Sequence, residues 1–257
     1  NYKGLSPFKT EKTPSFVVSP EKGIWHDFSS GRGGDVITFV MEMEGLNFPE
    51  TLEMLAKRAG VKLKPRRPGQ AISNNKKTRL FDANDAAMRY FHLALSNNQI
   101  AKDYFIKSRG LNKEVIKNYK LGYAPDSWDS LSNYLHSKGF TDKELIDSGL
   151  AVKGNKSNGV YDVFRGRVMF PVFDSQGRVV GFSARLLADQ KAAKYINTPQ
   201  TDIYNKSYAV YGLTQAKEYI RTEDRVVIVE GNMDVLGLSN SGFGNVVACS
   251  GTALTEQ

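Results

Sequence analysis

Cysteine is almost absent: Cys249 is the one cysteine in 257 residues. That excludes internal disulfides and any zinc site built on thiolates. A reducing, cytoplasmic compartment fits such usage. No apolar run approaches the roughly 18 residues that a membrane-spanning helix requires. Disorder is excluded as well, because charged residues are 24% and hydrophobic residues 40% of the chain, an ordinary globular balance. No signal peptide, no initiator Met and no internal repeat is found. The opening at Asn1 and the stop at Gln257 suggest a piece of a longer protein.

Positive charge is what the chain has in excess. Lys plus Arg is 35 against 27 for Asp plus Glu, a net charge of +8. The stretch from Lys62 to Arg79, KLKPRRPGQAISNNKKTR, holds seven basic residues (Lys62, Lys64, Arg66, Arg67, Lys76, Lys77, Arg79) and no acid. Its two prolines, one glycine and two asparagines are expected to interrupt helix and strand. It reads as a basic linker at 65–79, either solvated or in contact with nucleic acid phosphates.

Before the linker, residues 1–64 read as one small unit. SFVVS (15–19) and IWHDF (24–28) are short strand patterns, and Pro20-Glu21-Lys22-Gly23 is turn chemistry between them. Asp35 is placed to cap a helix over Val36–Glu44, and Asn47 and Pro49 to start a second one. After the linker, Phe81, Met88, Phe91, His92 and Leu95 recur at near-helical spacing, with His92 read as lining a packed face. Short helices are expected at 112–120 and 141–148. VMFPVFD (168–174) and RVVGFSA (178–184) flank Ser175-Gln176-Gly177, a hairpin signal. Near the end, RVVIV (225–229) reads as a strand buried on both faces, followed by a helix over 233–241 and a second buried strand, NVVAC (245–249), with Cys249 a small core residue. That is a right-handed βαβ unit with parallel strands.

Two groups of residues carry chemistry. Glu230 and Asp234 lie in EGNMD, at the carboxyl end of the expected strand, where open α/β sheets gather ligands. Two carboxylates there suit a hard divalent cation holding phosphate oxygens. The bland alternative is that Asp234 caps the helix and Glu230 pairs with an arginine. The second group is basic with interleaved aromatics: Arg165, Arg167, Arg185, Lys194 with Tyr195, and Lys206. That mixture suits a groove that neutralises a single strand's backbone and stacks its bases. A solvated face is the alternative.

Taken together, YKGLSPFKTEKTPSFVVSPEKGIWHDFSSGRGGDVITFVMEMEGLNFPE (2–50), RGLNKEVIKNYKLGYAP (109–125), FRGRVMFPVFDSQGRVVGFSARLL (164–187), KYINTPQTDIYNKSYAVYGL (194–213) and VVIVEGNMDVLGLSNSGFGNVVACSGTALTEQ (226–257) resemble the bacterial DnaG-type DNA primases. The resemblance implies synthesis of short RNA primers on single-stranded DNA from ribonucleoside triphosphates, with Mg2+ or Mn2+ held in a Toprim fold. It implies that Glu230 is the catalytic glutamate at the metal and that Asp234 supports it. It places Arg109, Arg165, Arg185, Lys194, Tyr195 and Lys206 along the template and nucleotide groove, with Arg167 adjacent.

The chain departs from that family in two ways. The family's zinc ribbon carries Cys-x2-His and Cys-x2-Cys, and those positions here read Ser6, Lys9, Asp27 and Ser30. Zinc is therefore not expected, and Phe8, Phe16, Val18, Ile24, Trp25, Phe28, Val36 and Phe39 are expected to hold the unit together. Lys9 and Arg32 add positive charge that either meets template phosphates or is solvated. In the family, an Asp-x-Asp strand and a region that docks the replicative helicase lie downstream of residue 257, so these residues alone are expected to make little or no primer.

The resulting expectation is an α+β chain. A zinc-less ribbon-like domain (1–64) and a basic linker (65–79) precede the amino-terminal subdomain of a polymerase domain (80–222) and a partial Toprim subdomain (223–257). The competing function is a primase-derived module that binds single-stranded DNA or a partner without catalysis. A Toprim enzyme that cleaves and rejoins nucleic acid explains only the last segment. No membrane partner is implied.

Overall fold

Two units separate by their internal contacts, Asn1–Gln70 and Ala71–Gln257. The computed structural model describes residues 1–44, 46, 48–63, 70–154, 159–187 and 192–249.

In the first unit, β1 (Tyr2–Gly4), β2 (Phe16–Ser19), β3 (Ile24–Asp27) and β4 (Arg32–Asp35) pair antiparallel in sequence order. The expected turn closes the β2–β3 hairpin, with Gly23 N donating to Pro20 O at 3.1 Å. Helices α1 (Val36–Glu44) and α2 (Phe48–Ala59) follow. Asp35 caps α1, its Oδ1 accepting from Thr38 N at 2.8 Å and Thr38 Oγ1 at 2.9 Å. Four rings form the centre: Phe8, Phe16, Trp25 and Phe39, with centroids 5.1 to 6.2 Å apart. Three residues assigned to this core lie outside it, since Ile24 is 47%, Phe28 70% and Val36 61% exposed. The pleat explains Ile24: Trp25 and Asp27 point inward along β3, so Ile24 and His26 point outward. Phe28 sits past the strand end with its ring against His26. Among the described residues of this unit, only Trp25, Leu46 and Ala56 are apolar and buried.

The second unit opens with α3 (Gln70–Ser96). The expectation that Asn74 and Asn75 break the chain here is corrected, because the helix runs through both. Pro65, Pro68 and Gly69 lie outside the described residues. Weak helix formers are tolerated where tertiary contacts hold the helix, and two of the basic residues assigned to the linker make such contacts. Lys76 Nζ pairs with Asp147 at 3.1 Å and Asp202 at 2.9 Å. Arg79 binds Glu144 through Nε at 2.7 Å and Nη2 at 3.1 Å. Further on, Leu80, Ala83, Ala87, Phe91 and Leu95 form the buried face at spacings of three and four. His92 Nδ1 lies 2.7 Å from Leu121 O, a packed position as expected.

Short elements follow: α4 (Gln99–Asp103), α5 (Lys113–Asn118), β5 (Gly122–Ala124), α6 (Ser130–Ser137) and α7 (Asp142–Asp147). Gly122 is required by α3, since a Cβ there would lie 2.7 Å from Phe91 Cβ. A small hairpin, β6 (Ala151–Lys153) with β7 (Val160–Asp162), carries the buried Asp162. Its carboxylate accepts from Leu131 N at 2.8 Å, Ser132 N at 2.9 Å and Ser132 Oγ at 2.5 Å. It thus caps α6 from another element, where the local cap residue Asp129 makes no side-chain bond to the helix and accepts instead from Ser127 Oγ at 3.2 Å.

The main sheet has the order β10-β9-β8-β5, from β8 (Arg167–Phe173), β9 (Val179–Leu186) and β10 (Tyr195–Asn197). All its pairings are antiparallel. Pro171 fits this strand because β5 pairs only with Arg167–Met169, leaving that edge open at Pro171.

The chain then passes through α8 (Leu213–Glu223) into β11 (Val227–Val229), α9 (Asn232–Asn240) and β12 (Val246–Ala248), with β11 and β12 parallel. Only half of the expected burial is observed. Val246, Val247 and Ala248 are buried, but Val226 is 44%, Val227 36% and Ile228 47% exposed. The strand read as buried on both faces pairs among the described residues only with β12, so its apolar run is only partly covered there. Cys249 is half-buried rather than in the core.

Two predictions follow from the paired carboxylates. Asp162→Ala should lower the stability of the second unit by about 2–3 kcal/mol, because it strands buried amide donors; urea unfolding followed by circular dichroism checks this. Glu144 is held down to about 2, against an ordinary 4.5, chiefly by the Arg79 guanidinium, with Thr141 assisting and burial opposing. A carboxyl depressed in the folded state stabilises above its unfolded value and loses that contribution as pH falls through the folded one. Arg79 is 36% exposed, so solvent screening reduces the effect to about 1–2 kcal/mol. Glu144→Gln should cost that much at pH 7, and the deficit should vanish between pH 4.5 and 2 in urea titrations.

Candidate functional site

The pairing of β9 with β10 sets Arg185 opposite Tyr195. The Arg185 guanidinium lies 4.8 Å from the Tyr104 ring centroid and 6.0 Å from that of Tyr195. Arg109 stands 5.2 Å from the same Tyr104 ring, and its Nε donates to the Tyr104 hydroxyl at 3.0 Å. A local irregularity makes this possible. Residues Tyr104–Ser108 form a π-helical turn after α4, in which Arg109 N donates to Tyr104 O at 3.0 Å. In a regular α-helix, side chains five apart would diverge by about 140°. The wider turn brings Arg109 back onto the ring.

Tyr104 was not among the residues singled out from the sequence, and no short-range pattern announces a π-turn. Burial raises the pKa of the Tyr195 hydroxyl, and the charges of Arg185, Arg109 and Asp234 also act on it. Tyr104, Arg109, Arg185 and Tyr195 therefore share one patch. The Arg185 Nε is buried with no hydrogen-bond partner among the described residues. A guanidinium held by π faces rather than by a carboxylate keeps its charge for an anionic oxygen.

The remaining basic residues have different surroundings. Arg165 donates to the Asp162 carbonyl and lies 4.1 Å over the Trp128 ring and 5.6 Å from that of Tyr161. It borders a cleft of about 310 Å³ with Tyr123, Asp126 and Leu186. Arg167 is only 6% exposed and donates to the Lys194 carbonyl at 3.3 Å. Burial and the charge of Arg165 lower its pKa. Its geometry makes it a support for the strand that presents Lys194 and Tyr195. Lys194 is exposed, as is Lys206, which begins a single helical turn (Lys206–Tyr208) capped by Asn205.

Glu230 follows β11 directly, is exposed, and makes no hydrogen bond or ion pair to another described residue. Asp234 Oδ2 accepts from Gly231 N at 3.0 Å, so Asp234 does help to cap α9. Its other oxygen is not used in that bond. Exposed carboxylate oxygens suit Mg2+ or Mn2+ in kind. Among the described residues, no group of three or more His, Cys, Asp or Glu assembles into a metal cluster.

In the first unit, two of the four positions that correspond to zinc ligands, Ser6 and Ser30, donate to the carboxylate of a third, Asp27. Asp27 is 0% exposed. Its Oδ2 accepts from Ser6 Oγ at 2.7 Å and Ser30 Oγ at 2.6 Å. Its Oδ1 accepts from Ser29 N at 3.0 Å, Ser29 Oγ at 2.8 Å and Ser15 Oγ at 3.0 Å. Burial alone would raise its pKa, but the hydrogen bonds from Ser30, Ser6 and Ser29 outweigh burial and hold it well below the carboxylate range. Lys9 Nζ donates to Ser29 O at 3.0 Å. Arg32 pairs with Glu42 at 3.1 Å and lies 5.4 Å from the Phe8 ring. Hydroxyls and an ammonium are not zinc ligands, so these residues do not fit that metal.

Comparison with known proteins gives the family. Family models match in chain order: a CHC2 zinc finger over residues 1–71, the N-terminal domain of the DNA primase catalytic core over 90–217, and a Toprim domain over 224–257. A DNA primase from Clostridium acetobutylicum is 44% identical over 257 residues, covering all of this chain and 42% of that protein. One from Deinococcus radiodurans is 44% identical over 255 residues and 43% of its own length. The chain thus spans well under half the length of these relatives. The crystal structure of the zinc-binding and RNA polymerase domains of Aquifex aeolicus primase has a TM-score of 0.66 at 36% identity, covering 99% of this chain and 60% of that one. The RNA polymerase domain of Mycobacterium tuberculosis primase, solved with a double-stranded DNA oligomer bearing a 6-nucleotide overhang, has a TM-score of 0.65 at 38% identity, covering 69% of this chain and 56% of that one. From its ribbon-like sheet through the antiparallel polymerase sheet to the parallel β11–β12 pair, the chain belongs to the bacterial DnaG-type DNA primases.

Proposed function

We propose that this chain is the template-binding part, with the first acids of the metal site, of a primase that makes short RNA primers on single-stranded DNA. The observation that carries the reading is the patch in which Arg109 and Arg185 rest on Tyr104 and Tyr195 within reach of the Asp234 charge. Cations placed on aromatic rings, rather than on carboxylates, keep their charge for phosphate oxygens. Tyr195 is 45% exposed and offers a face for a base to stack on. Lys194 and Lys206 add exposed cations that follow a backbone without reading sequence. A DnaG primase catalytic domain solved bound to ssDNA, 35% identical to this chain, supports single-stranded template as the ligand class.

Ribonucleoside triphosphates are the second substrate. Arg185, whose guanidinium lies against the Tyr104 and Tyr195 rings and pairs with no carboxylate among the described residues, is the residue best placed to hold a phosphate oxygen. Glu230 would be the principal ligand of the divalent ion, and Asp234 would orient the turn that presents it while capping α9. Bound there, Mg2+ or Mn2+ supplies charge neutralisation on the triphosphate and lowers the pKa of the attacking hydroxyl. The replicative helicase implied by the resemblance would dock outside these residues. Loss of the zinc ligands favours one other reading, a non-catalytic DNA-binding module.

Full-length protein carrying Glu230→Gln separates these readings. Primer synthesis on a single-stranded template should fall by about 10²–10³-fold or more, while affinity for the same DNA by fluorescence anisotropy stays unchanged. DNA binding with no synthesis by the unmutated protein would establish the binding module instead. Arg185→Ala should weaken single-stranded DNA binding by about 5–30-fold and reduce the salt slope of log Kd by about one.

A further inference from the structure

We propose that the first unit is organised by a metal-free centre, in which the buried Asp27 carboxylate and its ring of serine hydroxyls stand in place of a zinc ion and its ligands. The inference does not depend on whether the longer protein makes primers. It starts from a disagreement. Residues 1–71 match a CHC2 zinc finger model, yet that stretch contains no cysteine and only His26. His26 is exposed on the outer face of β3, with its ring against Phe28.

The substitutions are chemically concerted. A zinc site is a central cation inside a ring of electron-pair donors. Here the polarity is inverted, with a central anion inside a ring of proton donors. Ser6 and Ser30, at two former thiolate positions, both donate to Asp27 Oδ2. Asp27, at the third, supplies the acceptor. Lys9, at the imidazole position, places its ammonium on the Ser29 carbonyl, next to the turn that encloses the carboxylate. A carboxylate excluded from water is costly unless strongly hydrogen-bonded. Four donors within 3.0 Å, Ser6 Oγ, Ser30 Oγ, Ser29 Oγ and Ser29 N, meet that requirement, with the single Ser15 hydroxyl proton shared between Asp27 and the nearer Glu11.

A second carboxylate extends the centre. Glu11 Oε1 accepts from Ser6 N at 2.8 Å and Ser15 N at 3.0 Å, and Ser15 Oγ lies within hydrogen-bond distance of both Glu11 and Asp27. The loop before β2, the end of β3 and the turn after it are thereby joined, the two segments that a metal at positions 6, 9, 27 and 30 would join. A ribbon that had merely lost its metal would leave buried polar atoms unpaired. None of the side-chain atoms of Ser6, Glu11, Ser15, Asp27, Ser29 or Ser30 is buried without a partner. The centre matters because the unit buries so little else, with Trp25, Leu46 and Ala56 its buried apolar residues among those described. The consequence is functional: the unit should be indifferent to zinc supply and to thiol oxidants, both of which dismantle a Cys-ligated ribbon.

The test uses the 257-residue chain, purified without added metal and again after incubation with excess zinc chloride. Elemental analysis reads zinc per chain, and hydrogen-exchange mass spectrometry reads protection of residues 15–31. The proposal expects no retained zinc and protection unchanged by a zinc chelator. It expects Asp27→Asn to lose most of that protection and Ser30→Ala to lose part of it. Reinstating the ligands together (Ser6→Cys, Lys9→His, Asp27→Cys, Ser30→Cys) should give a unit that is protected only with one zinc bound. Near-stoichiometric zinc in the unmutated chain, loss of its protection on chelation, or full protection in Asp27→Asn would each overturn the proposal. So would full protection of the reinstated variant without zinc.

Discussion

The second unit depends on the pairing of β8 with β9, which runs from Arg167 opposite Leu186 to Phe173 opposite Val179. β8 is buried on both faces. Val168, Phe170 and Val172 enter a core with Phe105, Leu121 and Tyr211, while Met169 enters a second core with Phe91, Phe164 and Phe182. A slip of one residue would exchange the two sets and turn Arg185 to the opposite face, so the apolar pattern fixes the register. That register sets Arg185 opposite Tyr195. Packing around one hairpin therefore decides where Arg185 stands.

Aromatic contact is common to many of the cations, Arg79 over Phe140 and Arg178 over Phe81 included, and what separates them is whether a carboxylate is also bound. Lys76, Arg79 and Arg178 are bound to carboxylates and hold structural elements together. Arg109, Arg165 and Arg185 rest on aromatic rings and have no ion-pair partner among the described residues. The difference is electrostatic. A salt bridge cancels the field of a cation, whereas a ring leaves most of it available. Net charge counts both kinds alike, so a basic composition alone does not locate a nucleic-acid surface. The densest basic stretch in the sequence contributes Lys76 and Arg79 to internal pairing, and the proposed site draws instead on cations scattered from 109 to 206.

The first unit applies the same electrostatics with the sign reversed. A metal-binding ribbon and this one face a common need, since a small sheet with few buried apolar residues requires a strong polar centre. Ser6, Glu11, Ser15, Asp27, Ser29 and Ser30 meet it with charge-assisted hydrogen bonds rather than coordination bonds. Such bonds need no cofactor, but they require every donor to be present, because each one offsets part of the cost of burying the carboxylate.

The sequence by itself determined the local elements and the family. The β2–β3 turn, the Asp35 cap, the β8–β9 hairpin, the buried face of α3 and the βαβ order are short-range signals, set by side-chain period and turn chemistry. Loss of the zinc ligands was equally legible, because a ligand set is an identity at fixed positions. What filled their place was not, since Ser15 and Glu11 reach Asp27 only once the sheet has folded. What covers β11 is likewise a tertiary matter: RVVIV reads as a doubly buried strand, and among the described residues it pairs only with β12. An apolar run records what a strand can bury, and its neighbours decide what is buried. The helix over Asn74 and Asn75, the burial of Arg167 and the π-turn that brings Tyr104 under Arg109 belong to the same class. Each depends on contacts between residues distant in sequence, or on a backbone irregularity, and neither leaves a periodic trace.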